Sequence, residues 1–169
     1  STIFTMLLAT SYNIVDTYFV SDLGESSVAA VGIMFSVMAL IQAVGYTWGM
    51  GAGSEIARLL GKQKKREAEQ TLATALAGGI LSGAVMAVIF AVFREDVVRL
   101  LGATDTSLAP AGQYGIYIML AAPVMCGAYV LNNALRAEGQ PYLALLGILA
   151  GGLSNALFDY ILVRVLGLG

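Results

Sequence analysis

The chain has 169 residues, 58% of them hydrophobic and 12% charged, with a formal net charge of −2. Soluble domains carry roughly 45–50% apolar and about 25% charged residues, so this composition describes an integral membrane protein and lends no support to nucleic-acid binding. One cysteine and no histidine exclude an intrachain disulfide and remove the commonest general base and metal ligand.

Five apolar blocks, at approximately 1–20, 28–54, 71–93, 112–134 and 142–163, are each long enough to cross ~30 Å of hydrocarbon at ~1.5 Å per residue. The expected fold is therefore an all-α integral membrane protein with five transmembrane helices. The first block, "STIFTMLLATSYNIVDTYFV", carries a single charge, Asp16. Tyr12 and Asn13 lie one turn earlier, placed to hydrogen-bond to that carboxylate or to line a cavity.

The second block closes on "GYTWGMGAG", which sets Gly45, Gly49 and Gly53 four residues apart. Such a stripe of small residues lets another helix backbone approach closely. A phosphate-cradling loop at Gly49, Gly51 and Gly53 would need a preceding strand and a helix N-terminus facing water, and neither suits the end of an apolar block. Glu55 follows beside Arg58, where snorkelling or a surface ion pair suffices. The run "KQKKRE" between two spans is a topology signal rather than a nucleic-acid patch.

Gly79 and Gly83 form a weaker packing pair in the third block. In the connection after it, Val97, Val98, Leu100 and Leu101 predict a short interfacial helix ending before Gly102. Thr104 or Asp105 is the expected cap of the next helix, which then starts ahead of residue 112. Pro123 in the fourth block is expected to kink it and free a carbonyl. Tyr114, Tyr117 and Tyr142 are expected interface anchors. "LRAEGQP" is a compact helix–turn–helix signal, with Gly139 at a C′ position and Pro141 in the next first turn.

In the fifth block Gly147, Gly151, Asn155 and Asp159 lie four apart and share one helix face. Packing alone does not need the asparagine and the aspartate, and an aspartate near a helix centre costs ~2.5–3.5 kcal/mol on the insertion scale. A cytoplasmic amino terminus puts Arg58, Lys62, Lys64, Lys65, Arg66 and Arg136 inside and Arg94, Arg99 and Arg164 outside, the sense of the positive-inside rule. Asp16 and Asp159 then sit at matching depth, each about one turn, or ~6 Å, from the outer end of its helix. The alternative is that each snorkels separately to the outer interface. Asn132 and Asn133 lie near the cytoplasmic end of the fourth block, away from that depth.

The segments "YNIVDTYFVSDLGESSVAAVG", "GMGAGSEIARLLGKQKKREAE", "LRAEGQP" and "NALFDYILVRVLGLG" together resemble the amino-terminal half of a multidrug and toxic compound extrusion (MATE) transporter. The similarity runs through nearly the whole chain in the family's order. It implies five helices of a six-helix lobe, with residues 1–169 forming part of the amino-terminal transmembrane lobe of a longer, twelve-helix protein in the cell membrane. A carboxy-terminal lobe would then be a partner, beside the lipid bilayer. Both ends of the chain, starting and stopping in apolar sequence, are expected to be cut. The implied function is antiport: export of cationic or amphipathic drugs or metabolites in exchange for protons or sodium ions, with no other cofactor. The resemblance matches Asp16, Asn155 and Asp159 to the family's coupling cluster, where sodium could bind, and Asn132 to a further polar position on the fourth helix.

Two carboxylates close together in a low-dielectric cavity cannot both ionise cheaply, so one proton is shared by the pair, or a sodium ion replaces it. Flippases for lipid-linked sugars share the general architecture and are the alternative substrate class. An intramembrane aspartyl enzyme would also need two facing aspartates, but "NIVDTY" and "ALFDYI" lack a Gly-x-Gly-Asp context, and no Asp-Asp-x-x-Asp motif is present. A small transporter or structural subunit complete in five helices is a third possibility.

Overall fold

The computed structural model describes residues 25–159, and within them the backbone is helical apart from short turns. Helix α1 runs Glu25–Gly61, α2 Lys65–Val92, α3 Arg94–Leu100, α4 Leu108–Ala137 and α5 Pro141–Asp159. Three of these are long and apolar enough to cross a membrane, over Gly32–Gly61, Lys65–Val92 and Ala111–Ala137. The expected first span, 1–20, lies outside the described residues.

Residues 55–70, expected as a connection, are nearly all helical, and the turn between α1 and α2 shrinks to residues 62–64. Hydropathy marks where hydrocarbon ends, whereas a helix ends where its backbone finds a cap. At 37 residues, α1 is ~55 Å long, well beyond a ~30 Å core, and its charged end suits the helix as well as its apolar part does. Arg58 closes a two-pronged pair with Glu55 one turn earlier, Nε to Oε2 at 2.9 Å and Nη2 to Oε1 at 2.6 Å.

Three of the four connections between the described helices use the same closure. After α4, the N–H of Gln140 donates to Leu135 O at 2.9 Å and that of Gly139 to Arg136 O at 3.1 Å, with Gly139 at φ 78°. After α3, Ala103 donates to Val98 O and Gly102, at φ 99°, to Arg99 O. These are Schellman ends, and glycine fits their left-handed residue because it has no Cβ to clash. After α1, Lys64 donates to Leu59 O and Gln63 to Leu60 O, and here the left-handed residue is Gln63 at φ 59°. Gly61, two residues earlier, remains within the helix.

The short helix expected around Val97–Leu101 forms as α3, with Val98 fully buried and Leu100 exposed. The start of α4 differs from expectation: Ser107, rather than Thr104 or Asp105, holds the N-cap position and makes no side-chain cap bond. Its hydroxyl instead accepts from the Thr104 N–H at 3.0 Å. The helix does begin ahead of residue 112 and runs on through Pro123.

Helix α4 is the centre of the bundle. It packs parallel to α1, as the pairings of Gly45 with Tyr129, Gly49 with Asn133 and Gly53 with Ala137 show by their constant offset, and antiparallel to α2, where Gly83 meets Pro123 and Gly79 meets Val130. A Cβ on Gly45 would stand 2.7 Å from Tyr129 Cδ2, on Gly49 3.0 Å from Tyr129 O, and on Gly83 2.7 Å from Ala122 O and Pro123 Cα. Both glycine pairs and stripes therefore face a helix, as expected for packing through small residues.

Above and below these crossings lie two cores. One gathers Met34, Val37 and Ile41 of α1 with Phe90, Val98, Ile118, Ala122 and Cys126; the other gathers Ala52, Ile56 and Leu59 with Ala68, Ala75, Val130 and Ala134. The parallel run of α1 and α4 brings the 62–64 turn and the Gly139 turn to one end of the bundle. The basic residues Arg58, Lys62, Lys64, Lys65, Arg66 and Arg136 thus collect at that end, with Arg94 and Arg99 at the other.

Candidate functional site

Of the residues predicted to carry coupling chemistry, Tyr12, Asn13 and Asp16 lie outside the described residues. Asn155 and Asp159 fall on α5, whose helical backbone runs unbroken from Pro141 to Asp159; their side chains are likewise outside what the structure describes. The backbone keeps Gly147, Gly151, Asn155 and Asp159 in one helical register, four residues apart. Among the described residues, nothing lies within 4 Å of where a Cβ on Gly147 or Gly151 would stand. At Gly147 and Gly151, α5 thus makes no close contact with α1, α2 or α4, in contrast to the glycines of the α1 and α2 stripes.

Asn132 is half-buried between α4 and α5. Its Nδ2 donates to Ala144 O at 2.9 Å, and its Oδ1 accepts from Arg136 Nη2. Ala144 is almost fully buried at this contact. The amide thus ties the start of α5 to the end of α4, and in doing so sets the rotation of α5 about its axis. Asn133 is turned the other way, toward Gly49, and donates to Tyr129 O at 2.8 Å.

A cleft of about 720 Å³ lies between α1 and α2, lined by Trp48, Ala52, Glu55, Leu59, Glu67 and Thr74 among others. The charged lining residues, Glu55 and Glu67, lie toward the turn. Glu55 is held by Arg58, and Glu67 accepts from Lys64 Nζ at 2.8 Å. The hydroxyls of Thr47, Thr71 and Thr74 donate to carbonyls of their own helices, at 2.8, 2.9 and 2.9 Å. Their donors are satisfied and the cleft receives little polarity from them. Trp48 lies against Gly78 and donates its indole N–H to Ser82 Oγ at 3.0 Å.

The sequence reading did not single out this cleft, although a trace of it was there: Glu67, Gln70, Thr71 and Thr74 follow the i, i+3, i+4, i+7 spacing of one helix face. Among the described residues, no group of three or more Cys, Asp or Glu side chains is placed to hold a metal ion.

Comparison with known proteins agrees with the helical arrangement. The chain is 30% identical over 158 residues to the multidrug export protein MepA of Staphylococcus aureus (strain MSSA476), and 28% identical to MepA of Staphylococcus saprophyticus, covering 93% of this chain in each case. It spans only 35% of the length of those relatives. Among solved structures, a MATE transporter in its straight conformation superposes with a TM-score of 0.89 at 30% identity, over 98% of this chain and 37% of that one. A MOP superfamily transporter from Pyrococcus furiosus, for which a reversed polarity of the binding pocket is taken to suggest a different function, gives 0.88 at 30%, over 96% and 36%. These relatives are multi-pass membrane transporters rather than enzymes, and with residues 1–161 matching the MatE family model, the chain belongs to the MatE family.

Proposed function

We propose that this chain forms part of a secondary active antiporter that exports cationic or amphipathic small molecules in exchange for protons or sodium ions. Its amino terminus is cytoplasmic, and Asp16, Asn155 and Asp159 form the coupling site. The observation that carries the reading is the continuous α5 stripe of Gly147, Gly151, Asn155 and Asp159, with its glycines against no described atom. That face suits the close approach of a helix bearing Asp16 at the same depth. The names of the staphylococcal relatives support drug export, and the 35% coverage of their length supports a further lobe that completes the drug path.

In this reading, two facing carboxylates hold one proton between them, or a sodium ion with the Asn155 amide oxygen as a further ligand. Cation binding favours one helix arrangement and drug binding another, and that difference in affinity is the coupling. Tyr12 and Asn13 flank Asp16, and Asn132 acts as a positioning residue by fixing the rotation of α5.

The test is drug efflux from vesicles containing the full-length transporter, driven first by a proton gradient and then by sodium. Asp16→Asn and Asp159→Asn should each leave the protein folded and drug-binding but abolish gradient-driven efflux. The double variant should be little worse than either single one, because residues acting as a unit are not additive. Efflux that survives both single substitutions would mean that the carboxylates merely reach to the interface.

A further inference from the structure

We propose that the α1/α2 cleft, with the basic turn at its mouth, binds one anionic phospholipid of the leaflet it faces. The headgroup phosphate would lie at Lys62, Lys65 and Arg66, and an acyl chain would lie along Trp48. This inference rests on the membrane placement of the helices and is independent of the coupling site.

Charge is the first ground. Residues 55–70 hold five basic and three acidic side chains, a local net charge of +2. Glu55 is neutralised by Arg58 and Glu67 by Lys64, so the carboxylates on the cleft present little free negative charge. Lys62, Lys65 and Arg66 are exposed and, among the described residues, enter no ion pair. Lys62 lies in the three-residue turn, and Lys65 and Arg66 open α2 directly after it, where two helices leave the hydrocarbon. Anionic lipid is the partner whose charge and position complement them.

The graded lining is the second ground. From Leu59 back to Trp48 the cleft follows about 16 Å of helix axis, close to half of a ~30 Å hydrocarbon core and so to the depth of one leaflet. Its two charged lining residues, Glu55 and Glu67, lie toward the turn together with Leu59, and Trp48, Gly51, Ala52 and Ala75 line it deeper, beside Thr47 and Thr74. A phospholipid has the same order: charged head, polar ester region, apolar chain. The hydroxyls of the deeper threonines are bonded to their own helices and so add little polarity there.

Trp48 is the only tryptophan of the chain, which provides a direct probe. The full-length transporter, with Trp48 as its sole tryptophan, is reconstituted into vesicles containing either phosphatidylglycerol or phosphatidylcholine with brominated acyl chains, at equal mole fraction. Bromine quenches tryptophan on contact. Quenching should be stronger from the brominated phosphatidylglycerol, and added salt should reduce the preference in the unmodified protein. The variant Lys62→Gln, Lys65→Gln, Arg66→Gln should lose at least about ten-fold of the preference, since each basic side chain near an anionic surface is worth about five-fold.

Equal quenching by both lipids would overturn the proposal. So would the absence of quenching by either, which would mean that a protein segment covers the cleft. A preference that survives both the triple substitution and high salt would show that the headgroup is not held at this turn. The salt arm uses the unmodified protein, so the test stands even if the variant misfolds.

Discussion

Gly83→Ala is the sharpest test of how α2 and α4 meet. A methyl group there would stand 2.7 Å from Ala122 O, 2.7 Å from Pro123 Cα and 2.8 Å from Pro123 N. Ordinary van der Waals contact begins at 3.4 Å, so the shortfall is about 0.7 Å on three atoms at once. All three are main-chain atoms, and no rotamer change can move them; one helix must shift as a body. Overpacking of this kind costs about 1–3 kcal/mol, and the rigid neighbours place it in the upper half of that range. Alanine gives back about 1 kcal/mol of helix propensity over glycine. The expected net loss is about 1–2 kcal/mol.

Gly32→Ala is the control. It lies within α1, and no described atom is within 4 Å of its Cβ position, so only the propensity gain of up to about 1 kcal/mol applies. The two variants should differ by about 2–3 kcal/mol, or ~4–12 °C in Tm for a chain of this size. Cys126, the only cysteine and fully buried, serves as the reporter: a fluorogenic thiol dye in detergent reacts as the bundle opens. The reasoning is refuted if Gly83→Ala melts at or above Gly32→Ala.

Gln63→Gly should raise Tm in the same assay by an amount equivalent to about 1 kcal/mol, because it removes a left-handed residue with a Cβ from the α1 cap; a lower Tm would mean that the Gln63 side chain contributes more than its backbone strain costs. With Cys126 replaced by alanine, cysteines at Lys64 and Glu138 should label from the same side of the membrane, the cytoplasmic one, and a cysteine at Arg94 from the other. Labelling of Lys64 and Glu138 from opposite sides would contradict the parallel run of α1 and α4.

Composition, hydropathy and glycine spacing made much of this protein legible without coordinates. The apolar blocks marked four of the observed helices, because burying backbone polar groups in hydrocarbon leaves a chain segment little choice but a helix. The Gly45, Gly49 and Gly53 stripe announced a close neighbour, since three missing side chains on one face have no other use there. "LRAEGQP" announced its turn, because Gly139 and Pro141 are restricted by local sterics alone. Helix ends were less legible where the cap is not glycine: Gln63 takes the left-handed position and Gly61 does not, and residues 55–70 continue as helix past the end of the apolar pattern.

Other features depended on which helix packs against which. The sequence carries Asn132 and Ala144 twelve positions apart, but only the folding of α5 back along α4 turns that pair into a hydrogen bond between helices. Gly83 became critical through Pro123, and Trp48 through Gly78 and Ser82, contacts between residues tens of positions apart that leave no local periodic trace. The cleft between α1 and α2 arises in the same way, since a groove is a property of two surfaces and each helix alone shows only half of its lining. Local sterics and hydrophobicity act within one helical segment and can be read from the chain, whereas partners, depth of contact and cavities come from the long-range packing of helices on α4.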